Sequence, residues 1–162
     1  MTGTDKWSAV KDGDVEAGIF ISLIAGGAIA LFAPVTLETP TVATRLPKVK
    51  TTATANNKRV IGIAVGGSGK VENGNAADGD GDIVQVQIFG LAKCVVDGGA
   101  ATIAIGDLLM TTSKAGKAQK VTSNPATYTA ATINKYVFAK AMFGSDTDGD
   151  TIVVYLTGGS GL

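Results

Sequence analysis

Apolar and polar positions in this chain follow a pattern that is written twice. In the first copy the apolar run Val60-Ile61-Gly62-Ile63-Ala64-Val65-Gly66 leads through a polar loop to Asp78-Gly-Asp-Gly-Asp82. The strand-like stretch Ile83-Val84-Gln85-Val86-Gln87-Ile88-Phe89-Gly90 follows. In the second copy Val137-Phe138-Ala139-Lys140-Ala141-Met142-Phe143-Gly144 leads through a short loop to Asp146-Thr-Asp-Gly-Asp150, and Thr151-Ile152-Val153-Val154-Tyr155-Leu156-Thr157-Gly158 follows. Val84, Val86 and Ile88 occupy the same phase as Ile152, Val154 and Leu156, which is the period of two of a half-buried strand. The pattern predicts two β-hairpins, each turned by Asp-Gly chemistry.

The remaining segments extend the β reading. Residues 1–16 are polar and mixed in charge, with Trp7 as their one aromatic group, and predict a tail or arm that orders only against something else. Residues 17–35 carry no charge and approach the length of a membrane-spanning helix. Gly26-Gly27 interrupts the middle of that stretch, Asp12, Asp14 and Glu16 crowd its start, and no basic cluster follows closely, so a span is disfavoured. The acidic leader likewise speaks against a signal peptide. The same residues predict a hairpin, with one strand over 18–24, a turn at Gly26-Gly27 and a return strand over 28–38.

Residues 39–58 hold Pro40, Pro47 and many Thr and read as an extended surface connection, with an alternating patch over 49–55 that suits an edge. Residues 66–77 read as a mobile loop and a candidate contact surface. Residues 91–96 continue the sheet, Gly106-Asp107 makes a turn, 118–121 is a short strand, and 123–135 is loose. The organisation is a tail over 1–16, an apolar hairpin or arm with its connection over 17–58, and a β-barrel domain over 59–162.

Composition sharpens this picture. The apolar fraction of 45% comes largely from Ala, Val and Ile, aromatics are 6%, and there are 22 Gly, a mixture for short strands and tight turns. The predicted class is all-β, a small β-barrel or β-sandwich with an N-terminal apolar hairpin or extended arm. Fourteen basic and fourteen acidic residues cancel, and no Lys/Arg cluster is dense enough to neutralise a run of phosphates, which argues against nucleic acid as a partner. The chain has no His, which removes the usual general base near neutral pH and every Ser/His or Cys/His pair. Cys94 is the single cysteine, so no intrachain disulfide or thiolate zinc site can form, and its apolar setting predicts a buried, inert thiol. No catalytic residue, cofactor or metal is expected.

Two motifs suggest chemistry and are better explained by turns. Asp78, Asp80 and Asp82, and again Asp146, Asp148 and Asp150, have the alternate spacing of a Ca²⁺ loop. The twelfth positions, where such a loop needs a bidentate Glu, are Phe89 and Thr157, which excludes an EF-hand. A looser Ca²⁺ site, or a carbohydrate-binding β module, stays open as an alternative to a solvated turn. Gly66-Gly67-Ser68-Gly69-Lys70 lacks the full phosphate-loop spacing and no convincing helix follows it.

Five segments together resemble the small capsid cement, or head decoration, proteins of tailed viruses: Val60-Ile61-Gly62-Ile63-Ala64, residues 82–90, Ile105-Gly106-Asp107-Leu108-Leu109, residues 137–141 and residues 151–156. In that family a V-I-G-V-A strand, a G-x-x-V-x-V strand, a G-D-x-L turn and a final V-x-V-x-L strand recur in this order. The resemblance covers roughly residues 42–157; the uncharged stretch 17–35 and the tail before it are longer than the family pattern. It implies a non-enzymatic protein on the outer surface of a virion, bound to the major capsid protein and bridging shell subunits, either as a homotrimer or other homo-oligomer or as a monomer at a symmetric lattice position. A small self-assembling shell or spike-base protein is the rival within the virion. Trp7, Phe20, Leu23, Leu31 and Phe32 are the candidate contact residues, and Gly106 and Asp107 match the family's structural turn.

Overall fold

The computed structural model describes residues 18–38, 47–53, 55, 57, 59–121 and 136–158. Among them the β-branched, glycine-punctuated segments form the strands β1 (Gly18–Gly26), β2 (Ile29–Ala30), β3 (Pro34–Leu37), β4 (Lys48–Thr51), β5 (Val60–Gly67) and β6 (Asn75–Ala77). The chain continues through β7 (Asp80–Asp97), β8 (Leu108–Thr111), β9 (Ala118–Lys120), β10 (Ala139–Ala141) and β11 (Asp148–Leu156). The predicted all-β class is what forms, and the only helical element described is a 3-10 turn at Val71–Asn73.

Both hairpins read from the repeated pattern are present. β5 pairs antiparallel with β7 through Ile63 and Gln87, and β10 pairs antiparallel with β11 through Ala139 and Leu156. The phase is largely kept: Val84, Val86, Ile152, Val154 and Leu156 are buried and Ile88 half-buried, while Gln85, Phe89, Thr151 and Tyr155 on the other phase are exposed; Gln87, on that phase too, is buried. Alternation decides the face because each side chain of a strand points opposite to the last.

The element that organises the rest is β7, 18 residues long. Its first half lies between β1 and β5, with Gln85 paired to Ser22 on one flank and to Gly66 on the other. Its second half pairs antiparallel with β11, Cys94 facing Ile152, and meets β9 in parallel at Val96 and Ala118. Following the hydrogen bonds gives two closed circuits of five strands each, β1-β4-β3-β5-β7 and β7-β11-β10-β8-β9. Each circuit is completed by one parallel pairing, β1 with β4 in the first and β7 with β9 in the second. The molecule is thus a pair of small β rings with one strand in common. Closure leaves few unpaired backbone edges, and it gives each ring its own apolar filling.

Ala25, Ile29, Val35, Val49, Ala64, Ala76, Val84 and Val86 fill the first ring. Cys94, Val96, Ile103, Leu109, Phe138, Ile152, Val154 and Leu156 fill the second. A fully buried Val, Leu, Ile or Phe contributes about 1.5–3 kcal/mol, whereas an exposed ion pair contributes about 0–1 kcal/mol. These fillings, rather than surface charge, dominate the stability.

Where β7 passes from one ring to the other its ladder changes partners, and two features handle the transition. Gly90 takes φ 95°, a left-handed conformation natural to glycine, and two residues before it the β1 register skips Ile88, between the pairs Ile19–Phe89 and Phe20–Gln87. Beside it the buried Gln87 side chain donates from Nε2 to the carbonyls of Phe89 at 3.2 Å and Leu91 at 2.5 Å. The amide thereby bridges two carbonyls of β7 on either side of Gly90, while its own buried Oε1 has no hydrogen-bond partner. A Cβ on Gly18 would collide with that amide and with the Phe89 carbonyl, so this position of β1 calls for glycine.

Phe32, in the turn between β2 and β3, ties the rings together. It is the one described non-glycine residue with positive φ, at 62°, a conformation that costs about 1–3 kcal/mol. Its N–H donates to Ala64 of β5 at 2.7 Å and its carbonyl accepts from Val95 of β7 at 3.0 Å. The ring packs against the core of the second ring, with the Lys93 ammonium 5.7 Å from its centroid.

The structure corrects the sequence in three places. Residues 18–38 are not a hairpin folded on itself: β1 pairs with β7 and β4, and the expected return strand is divided into β2, paired with β6, and β3, paired with β4 and β5. β1 pairs with β7 at eight positions, a longer ladder than β2 or β3, of two and four residues, could offer it. The patch expected at an edge is β4, which has neighbours on both sides. Residues 66–77 are not a free loop; they hold the 3-10 turn and β6, with Gly69 N–H bonded to Ala76 carbonyl at 3.0 Å. Residues 1–16 and 123–135 lie outside the described residues.

Two substitutions test the packing. Phe138 is fully buried, so Phe138→Ala is expected to lower stability by about 3–5 kcal/mol. A Cβ on Gly62 would strike the backbone carbonyl oxygen of Gln87, so Gly62→Ala is expected to cost about 1–3 kcal/mol or more by overpacking the β5–β7 pair. Chemical denaturation of each variant reads both, and Gly62→Ala with wild-type stability would contradict the close approach.

Candidate interaction surface

The two Asp-rich turns sit at opposite ends of β7, and their carboxylates are occupied by the chain itself. Asp82 accepts from the N–H groups of Asp78 and Gly79 at 2.8 and 3.0 Å. Asp78 accepts from the Lys70 N–H and the Asn75 side-chain amide, and Asp80 is paired with Lys48 at 2.7 Å. In the second turn Asp150 accepts from the Ser145 hydroxyl at 2.7 Å. Asp148 holds Lys114 and Lys117 at 2.9 and 2.8 Å. The three carboxylates of each turn thus face different donors, and among the described residues no group of three or more His, Cys, Asp or Glu is placed to hold a metal ion.

Lys114 also reaches Asp97, whose side chain is buried, at 2.9 Å. One ammonium therefore joins the end of β7 to the start of β11 and to the turn before β9. Hydrogen bonds from Lys117 and Lys114 hold the Asp148 carboxyl at about 2, below the ordinary aspartate value. Cys94 is fully buried inside the second ring, and burial pushes its thiol far above the ordinary range.

The residues singled out from sequence are scattered. Trp7 lies outside the described residues. Phe20 is exposed on β1, where its register partner is Gln87. Leu23 and Leu31 are half-buried against the core of the first ring, Leu23 also lining a shallow apolar groove with Ile24, Pro47 and Ile83. Phe32 is the half-buried tie between the rings. Gly106 and Asp107 form a turn, with Gly106 at φ 90°. The Asp107 carboxylate accepts from the Ala104 N–H at 2.8 Å and pairs with Lys120 at 2.9 Å.

A coherent surface lies elsewhere. Cross-strand partners share a face, and the register places Ile19 beside Phe89, Leu91 beside Tyr155, Tyr155 beside Lys140 and Lys140 beside Leu108. The rings of Phe89 and Tyr155 meet edge to face, centroids 5.6 Å apart. Ile19 is 56% exposed, Phe89 42%, Leu108 40% and Tyr155 37%. The result is an apolar band across β1, β7, β11, β10 and β8 on the outside of the rings. At one end of the second ring, two turns lie side by side, the Gly106 N–H bonded to the Ala141 carbonyl and Ile103 exchanging hydrogen bonds with Ser145. They expose Ile105, Met142 and Phe143. Contiguous apolar surface of this kind marks contact sites more often than isolated residues do. Its signal in the sequence is the aromatic on the solvent phase of each copy, Phe89 and Tyr155, where alternation calls for polar groups.

Neither a protein-family model nor a curated protein matches this sequence. Among solved structures, the chain is similar to the N base of the head fiber protein gp8.5 of bacteriophage phi29. The identity is 17%, the TM-score is 0.50, and the match covers 88% of this chain and 98% of that chain. At this identity the likeness shows a shared fold.

Two measurements check this description. Asp148 has a depressed pKa in the folded state, so its contribution is complete above the unfolded value near 4 and is lost as pH falls toward 2. The melting temperature of the wild type is expected to fall across that window, and Asp148→Asn to flatten the fall. Cys94 is expected to resist a thiol-specific reagent in the native protein and to react fully in denaturant; rapid native labelling would contradict its burial.

Proposed function

We propose that this chain is a structural protein of a tailed-virus head, a non-enzymatic decoration protein that sits on the outer surface of the assembled shell and stabilises it by bridging copies of the major capsid protein. The observation that carries this reading is the likeness to a phage head fiber base over almost the whole of that chain. The ordered motifs that resemble cement proteins agree with it. So does the chemistry: the chain has no histidine, its one thiol is enclosed in the core, and its turn carboxylates are engaged by the chain's own donors.

The physical demands of such a role are modest. A protein repeated over a lattice needs only moderate binding at each site, because neighbouring attachments raise the effective concentration. It also needs a stable body without metal or disulfide, which two filled rings supply. A second reading, the base on which a separate head fibre is mounted, is favoured by the specific kind of protein that the fold neighbour is. The two differ in what remains when fibres are removed.

The test is incubation of the full chain with heads that lack it, followed by co-sedimentation and a thermal challenge. The decoration reading expects saturable binding and a shell that withstands a higher temperature. Binding that leaves shell stability unchanged and is needed for fibre attachment supports the base reading, and no binding removes both.

A further inference from the structure

We infer that the band formed by Ile19, Phe89, Tyr155, Lys140 and Leu108 is the face that docks on the shell, and that its partner is an acidic, apolar patch of another head protein. This rests on the head-protein reading above and adds to it the surface and the chemistry of the partner.

The argument is one of charge. The register positions of the band carry two cations and no carboxylate: Lys140 lies between Tyr155 and Leu108, and Lys93 lies beside Val153. The aspartates of the two turns lie beyond it at the ends of β7, and Asp107, next to Leu108, is held by Lys120 at 2.9 Å. Lys48, Lys114, Lys117 and Lys120 each hold an aspartate within 2.9 Å. Lys140, exposed amid aromatic and aliphatic groups, holds none among the described residues.

Covering this band with a purely apolar surface would strip water from the Lys140 ammonium without compensation, which is costly. A partner that fits must bring Asp or Glu to that position and apolar groups to Phe89, Tyr155 and Leu108. A second copy docking by a two-fold axis would present the same face, which offers no carboxylate to either lysine. Two ammonium groups are also too few to follow a nucleic-acid backbone. The occupant is therefore an acidic patch on a different polypeptide.

The experiment compares wild type, Lys140→Glu and Lys50→Glu for co-sedimentation with heads that lack the protein, at about 0.05 M and about 0.5 M salt. Lys50 is exposed on β4, in the other ring. Thermal melts first confirm that both variants fold. Lys140→Glu is expected to bind about tenfold or more weakly at low salt, with the difference shrinking at high salt, while Lys50→Glu binds as wild type. Carbodiimide treatment of wild-type protein on heads is expected to join Lys140 to an Asp or Glu of the shell.

Wild-type binding by Lys140→Glu overturns the inference and leaves the head-protein reading intact. Equal weakening of both lysine variants also overturns it, since any positive charge then serves. Cross-links from Lys140 to a second copy, or to residues 1–17 of the same chain, assign the face to another occupant and overturn it as well. Failure of the wild type to bind heads removes the head-protein reading, and the inference with it.

Discussion

The backbone ladder of β7 is the constraint on which the rest depends. A strand can satisfy its N–H and C=O groups on two flanks only, and β7 uses those flanks twice, first with β1 and β5 and then with β11 and β9. That forces the change of partners at Gly90, the amide bridge from Gln87 and the glycine at position 18. A polar residue at the junction of two apolar fillings would ordinarily be a defect; here its Nε2 donates to two carbonyls of β7, and only its Oε1 stays without a partner. Phe32 acts at the same junction from the outside, its strained backbone held by hydrogen bonds to both neighbouring strands.

This architecture separates stability from surface. Each ring is filled from within mainly by one phase of its strands; β5, where Ile63 packs in one core and Ala64 in the other, is buried on both faces, while on β11 and the outer part of β7 the opposite phase faces out. Side chains there can be chosen for contact, and Phe89, Tyr155 and Leu108 are large and apolar where a solvated strand would hold Thr or Lys. The charged groups are sorted the same way. Carboxylates gather in the turns at the ends of the rings, where donors of the chain itself hold them, and the band between carries lysine alone.

Much of the fold could be read from the chain because its code is local. Period-two alternation in residues 83–90 and 151–156 places the side chains on their faces, with Gln87, buried on the solvent phase, as the exception, and Asp-Gly clusters mark the turns. The partnership of β1 was not legible: alternation says that a segment is a strand and nothing about which strand it joins, and the Gly26-Gly27 pair imitates a hairpin turn while the chain only bends there. The division into two rings was hidden for a related reason, since Gly90 looks like the end of a strand and is a point where one strand changes neighbours. Hydrophobicity alone marks the apolar residues of the N-terminal stretch without saying which of them face outward. Leu23, Leu31 and Phe32 are apolar because they pack against the cores; the outward band becomes visible only when phase is weighed against residue type.

Native-state hydrogen exchange along β7 tests the central claim most directly, that one shared strand makes the two rings a single cooperative body. The amides of Val84 and Val86 in the first half and of Ala92 and Cys94 in the second are expected to exchange with the same free energy, equal to that of global unfolding. Two distinct exchange energies, one for each half of the strand, would contradict the account.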